Sequence, residues 1–159
     1  MPSRQPPMIE LEIQRQLEDP QLPDDARLRS WAEHVLAGCG AVMVNLRIVD
    51  LAEGWALNRQ WRGKDAATNV LSFPADMPPI NGARVLGDVV LCAPVIAREA
   101  AEQGKPLEAH WAHLVTHGLL HLLGHDHIKA EQAAVMEARE VELLNALGYS
   151  NPYDANNGI

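Results

Sequence analysis

The segment HGLLHLLGHDH, His117 to His127, constrains this chain more than any other, because it packs four of seven histidines into eleven residues. His117 and His121 stand four apart in HWAHLVTHGLLHLLG. The leucine and alanine content of that stretch favours an α-helix, so both imidazoles leave one face and aim at one point. Gly124 follows, where a glycine can end a helix in a left-handed conformation and turn the chain back. Such a turn could deliver His127 as a third ligand. Three imidazoles with a fourth position open suit a catalytic zinc, whereas a structural zinc usually takes four protein ligands, often including cysteine. Three imidazoles also accept nickel or copper. With seven histidines in 159 residues, this spacing arises by chance in about one chain in a hundred. His125 and Asp126 lie inside the motif and either could ligate, although Asp126 is more naturally a carboxylate that orients an imidazole. His110 and His113 precede it and read as partly buried or surface histidines, since three ligands already suffice.

A chain of this length can bury a core without a metal or disulfide, so a metal here would serve function. One domain is expected over residues 1–149, with a frayed tail from 150 to 159. Cys39 and Cys92 form no CxxC spacing and no disulfide framework, which fits a reducing cytoplasm. The amino-terminal MPSRQPPMIE lacks the apolar centre of a signal peptide, and nowhere do 18 apolar residues run together. A soluble protein follows as the expectation. The net charge of -8 disfavours loose binding to polyanions, so contact with nucleic acid would need a local basic patch.

Hydrophobic periodicity orders the rest. Met8 to Gln16 is expected as a strand, then a helix capped by Asp24 or Asp25 that shows Leu28, Trp31, Val35 and Leu36 on one face. Val42 to Val49 alternates as a half-buried strand does. Leu51 to Trp61 has helical content, Asn69 to Phe73 is a strand closed by Pro74, and Val85 to Cys92 is a strand with Asp88 in its middle, expected as a buried or capping carboxylate. Pro94 and Pro106 each open a helix. Lys129 to Leu147 is an amphipathic helix with Ala133, Met136, Val141, Leu144 and Leu147 among glutamates.

In WRGKDAATNVLSFP, Arg62 and Lys64 join Arg59 to give three positive charges within six residues, a cationic island in an acidic protein. Together with HGLLHLLGHDH, LGDVVLC and GKPLEAHWAHLVTHG, this block resembles the YbeY family of bacterial metal-dependent endoribonucleases, the rRNA maturation factors. The similarity runs from about Leu46 to Tyr153. It implies a compact α+β domain with a mixed four-stranded sheet and a zinc held by His117, His121 and His127. It also implies single-strand RNA cleavage in 16S rRNA 3' end maturation and ribosome quality control. Arg62 matches the family's proposed catalytic basic residue, and a guanidinium can meet two phosphoryl oxygens at once. Arg59 and Lys64 would hold the RNA backbone. The expected partners are single-stranded rRNA and the small ribosomal subunit with its assembly proteins, and neither DNA nor a membrane. One departure is His125, where family members commonly carry Tyr.

Two alternatives stand beside this expectation. The motif also looks like the HExxHxxGxxH of metzincin proteases, in which a glutamate after the first histidine is the general base. Here that position is Gly118, which offers no carboxylate and is expected to leave space over the metal for a nucleotide. The other alternative is a non-catalytic ribosome-assembly module. In it, an exposed acidic face bearing Glu131, Glu137, Glu140 and Glu142 would dock a basic ribosomal protein.

Overall fold

A computed structural model describes residues 9–63 (apart from the Arg62 side chain), 68–125 and 129–153. The elements run β1 (Ile9–Arg15), α1 (Asp25–Val35), β2 (Val42–Val49), α2 (Leu51–Arg62), β3 (Val70–Pro74), β4 (Arg84–Cys92), α3 (Ala93–Gln103), α4 (Leu107–Leu122) and α5 (Ala130–Ala146). They form a single α+β domain around one mixed sheet of order β1-β2-β4-β3. β1, β2 and β4 are mutually parallel, and β3 runs antiparallel to β4 at the edge. The parallel pairs need crossovers. α1 supplies the first, and α2 with β3 fills the second.

Local chemistry explains the boundaries. The Asp24 carboxylate accepts from the Arg27 N–H at 2.8 Å and the Asp50 carboxylate from the Glu53 N–H at 2.9 Å, so each satisfies an orphan donor of the helix it precedes. Pro94 sits in the first turn of α3, as expected. Pro106 stands just before α4 rather than inside it, at its N-cap. Pro74 ends β3 on the sheet edge, where its missing N–H costs no ladder bond. Asp88 is exposed and not buried, and it accepts a hydrogen bond from Asn45 Nδ2 at 2.8 Å across the β2–β4 ladder. At Gly87 the strands crowd together. A Cβ there would fall 2.1 Å from the Phe73 carbonyl oxygen, and the local φ of 127° suits glycine.

The period-two pattern of β2 sends Val42, Val44, Leu46 and Ile48 into the main core and its alternate residues to the other face. α4 crosses that core. Ten of its sixteen residues are buried, including Trp111, Leu114, Val115, Leu119 and Leu120, which makes it a central helix and not a surface one. α1 packs on it through Leu28, Trp31 and Val35, and α5 through Met136, Leu143 and Leu144. On the opposite face of the sheet Val49, Leu71, Val90 and Cys92 gather with Val95, Leu57 and Phe73 in a smaller cluster.

Candidate metal centre

α4 carries its histidines as a ladder. His110, His113, His117 and His121 follow one another at three- and four-residue spacing, with successive ring centroids 6.2, 6.3 and 5.0 Å apart. The tightest step is His117 to His121, edge against face at 77°. The expectation that these two imidazoles share one helix face therefore holds. α4 ends where glycine was expected to end it. Gly124 has φ 103°, and the His125 N–H returns to the Leu120 carbonyl at 3.0 Å. The structure places His125 just past this turn, half-buried. Asp126 and His127 lie outside the described residues.

The residue that sequence patterning misplaces is Glu140. It was expected on an exposed acidic face of α5, yet it is completely buried. Met136, Glu140, Leu143 and Leu144 recur at helical spacing, so the carboxylate sits in the stripe that faces α4. That stripe was readable in advance, as a charged residue at a position the period reserves for an apolar one. Glu131 and Glu142 are exposed and Glu137 is half-buried, which leaves a smaller acidic face than expected.

A buried carboxylate must be paired or neutral, and Glu140 is paired on every side. His117 Nδ1 lies 2.5 Å from Glu140 Oε1. The Tyr153 hydroxyl donates to Oε2 at short range. His113 Nε2 stands 3.5 Å from the same Oε2 and 3.1 Å from the Tyr153 oxygen. Burial alone would push the Glu140 carboxyl up. The hydrogen bonds of His113, His117 and Tyr153 outweigh it and hold the group at about 2. Burial and the neighbouring carboxylate push the Tyr153 phenol up. His113, expected to have no part in the site, is thus one of its walls.

Tyr153 belongs to a stretch expected to fray. Residues 150–153 instead dock on the domain: Lys105 Nζ donates to the Pro152 carbonyl at 2.7 Å, the Tyr153 N–H bonds Asn151 Oδ1 at 2.8 Å, and the Tyr153 ring meets His113 edge-on at 5.2 Å. The phenol reaches a buried acceptor, and that is the physical reason the segment stays down. Residues 154–159 lie outside the described residues.

His113, His117 and Glu140 bring three ligand-type atoms within 4.8 Å of one another, and this set could hold a metal ion. His110, at the head of the ladder, is buried with its Nε2 3.0 Å from Glu99, which also accepts from Asn69 Nδ2 at 3.0 Å. Burial pushes the His110 pKa down despite the carboxylate, so this pair is a neutral-imidazole hydrogen bond near pH 7 and belongs to the packing between α3 and α4.

Gly118 overturns one expectation. No space opens over it, because an added Cβ would lie 2.6 Å from Val89 Cγ1, 3.2 Å from Val70 Cγ2 and 3.3 Å from Ser72 Oγ. The Ser72 hydroxyl also donates to the Gly118 carbonyl at 3.0 Å. Glycine at this position lets α4 lie against β3 and β4. Of the cationic island, Arg59 places its guanidinium carbon 5.2 Å from the centre of the Trp55 ring, Arg62 is the last residue of α2, and Lys64 lies outside the described residues. Trp61 is 62% exposed and meets Phe73 edge-on at 5.9 Å.

Fold and site together define a class: an α+β domain whose central helix presents adjacent histidines backed by a buried carboxylate. The comparisons with known proteins resolve it further. Residues 12–148 match the sequence profile of the family described as Endoribonuclease YbeY. A Pseudomonas putida (strain W619) protein of that name is 55% identical over 156 residues, covering 96% of this chain and 99% of its own length. One from Methylococcus capsulatus is 53% identical over 146 residues, covering 92% and 96%. The solution structure of TM1509 from Thermotoga maritima superposes with a TM-score of 0.55 at 25% identity, covering 92% of this chain and 99% of that one. The chain belongs to the endoribonuclease YbeY family. The class of activity that goes with this family is that of a nuclease hydrolase. Among the described residues, no helix is long and apolar enough to cross a membrane.

Proposed function

We propose that this protein is a zinc-dependent endoribonuclease of the cytoplasm that cuts single-stranded rRNA in 16S rRNA 3' end maturation and ribosome quality control, in contact with the small ribosomal subunit and its assembly proteins. The observation that carries this is the pairing of His117 with His121, ring centroids 5.0 Å apart on one helix face, in a chain of an endoribonuclease family. The donor chemistry fits the ion: His117, His121 and His127 would supply three imidazoles and leave a position open, and nickel or another divalent transition metal would suit the same set. Bound there, zinc would supply Lewis acidity toward a phosphoryl oxygen and a bound water of lowered pKa.

The chain's own residues do the rest. The Arg62 guanidinium meets two phosphoryl oxygens as negative charge grows on them in the in-line transition state. Arg59 and Lys64 hold neighbouring phosphates, which lets an acidic protein grip RNA locally and limits indiscriminate cutting elsewhere on its surface. Asp126 and His125, next to the third ligand, orient or flank it. The peptidase alternative loses ground at Gly118, because the side chain of a general base placed there would run into Val89 and Val70.

The test is cleavage of single-stranded rRNA by purified protein with and without a chelator. Cleavage should require metal and vanish in both His117→Ala and Arg62→Ala. A folded Arg62→Ala protein with full activity would remove that residue from the mechanism, and digestion of casein with RNA left intact would reinstate the peptidase. In cells, His121→Ala should lengthen 16S rRNA 3' ends.

A further inference from the structure

We infer that Glu140 and Tyr153 are the positioning residues of the metal centre: Glu140 fixes the tautomer and orientation of His117, and Tyr153 fixes Glu140. This rests on the proposed assignment of His117 and His121 as ligands.

Distances set the roles. Two atoms bound to one tetrahedral ion at about 2.1 Å from it stand about 3.4 Å apart, whereas His117 Nδ1 and Glu140 Oε1 are separated by 2.5 Å. That is a hydrogen bond, with the Nδ1–H donating to the carboxylate. The imidazole is then the tautomer with its proton on Nδ1, which makes Nε2, on the far edge of the ring, the ligating nitrogen. A carboxylate behind a ligating histidine does this in many zinc sites, raising the ligand's basicity as it fixes the ring.

The remaining contacts follow one direction of donation. The Tyr153 hydroxyl gives its proton to Glu140 Oε2. Its oxygen is then left to accept from His113, whose Nε2 lies 3.1 Å away. With the proton on Nε2, His113 Nδ1 must be bare, and that atom is buried without a hydrogen-bond partner among the described residues. A bare acceptor left unpaired is the less costly kind of buried orphan. Every donor in the relay therefore points, directly or through Tyr153, at one buried carboxylate. A metal held by His113, His117 and Glu140 would have to displace the protons that His117 and His113 donate in this relay. The segment that carries Tyr153 is also held by Lys105, which donates to the Pro152 carbonyl.

The experiment measures zinc affinity of the full chain by competition with a chromophoric chelator, together with the visible absorption spectrum of the cobalt(II)-loaded protein. Glu140→Gln should weaken zinc about 10- to 100-fold at unchanged one-to-one stoichiometry and shift the cobalt bands. Tyr153→Phe, whose metal-free melting curve checks its fold, should shift them the same way with a smaller loss of affinity. It carries the test alone if Glu140→Gln does not fold. His121→Ala should abolish binding. Wild-type affinity and spectra in Glu140→Gln and Tyr153→Phe would overturn the positioning roles while leaving the metal assignment intact. Loss of zinc in Glu140→Gln with retention in His121→Ala would overturn them by making Glu140 a ligand. A wild-type protein that takes up neither zinc nor cobalt would overturn the metal assignment itself, and the inference with it.

Discussion

Gly118 faces Val89 so closely that one added methyl group would come within 2.6 Å of Val89 Cγ1. Helix propensity favours alanine over glycine by about 1 kcal/mol. Overpacking a filled core costs about 1–3 kcal/mol, and the obstacle is a β-branched side chain with little rotamer freedom. The second effect should win. Gly118→Ala is expected to lose up to about 2 kcal/mol in urea denaturation, and Gly118→Glu, which drives a charge into the same gap, should not fold stably. A Gly118→Ala protein more stable than wild type would show that α4 and the sheet have slack.

Glu140 gives the metal-free protein a particular acid sensitivity. Its folded pKa of about 2 lies below the ordinary value of 4.5, so the stability it contributes is present above pH 4.5 and is lost as pH falls toward 2. The shift corresponds to about 3 kcal/mol. Other carboxylates titrate in the same window, and the readout is therefore a difference. Between pH 5 and 2.5 the wild type should lose more unfolding free energy than Glu140→Gln does. Parallel losses in the two proteins would mean that the His117 and Tyr153 contacts do not hold the carboxylate charged.

Removing the metal should leave the fold standing. The core that α1, α4, α5 and the sheet share is apolar and continuous, and no part of it depends on an ion. A chelated sample should keep its helical circular dichroism and melt cooperatively. Zinc at a thousand times its dissociation constant adds about 4 kcal/mol, so chelation should lower Tm by roughly 10 °C for a chain of this size. Collapse of the spectrum on chelation would instead make the ion structural.

The elements were legible because the apolar periods are clean. β2 alternates from Val42 to Val49, and α4 and α5 are bounded where proline and glycine allow, with differences of a residue or two at their ends. His117 and His121 were legible for the same reason, since a spacing of four on a helix is a statement about geometry. Three features were not. Glu140 lies among several glutamates, and only its place in the Met136–Leu143 stripe separates it from them. Gly118 was read as open space because a missing side chain says nothing about what occupies the gap, which here is β3 and β4 arriving from far along the chain. Tyr153 follows the last helix, where local patterning cannot distinguish a loose end from one whose hydroxyl reaches a buried carboxylate.

Glu140 follows His117 by 23 residues, and Tyr153 comes 13 later still. A ribosome working from the amino terminus thus delivers the histidines of α4 before their clasp. A growing chain that ends just past α4 would carry both helix-borne imidazoles, yet neither Glu140 nor Tyr153 to hold His117 in the tautomer that offers Nε2 to an ion. Until both clasp residues have emerged and docked, the imidazoles of α4 lack the carboxylate and phenol that orient them.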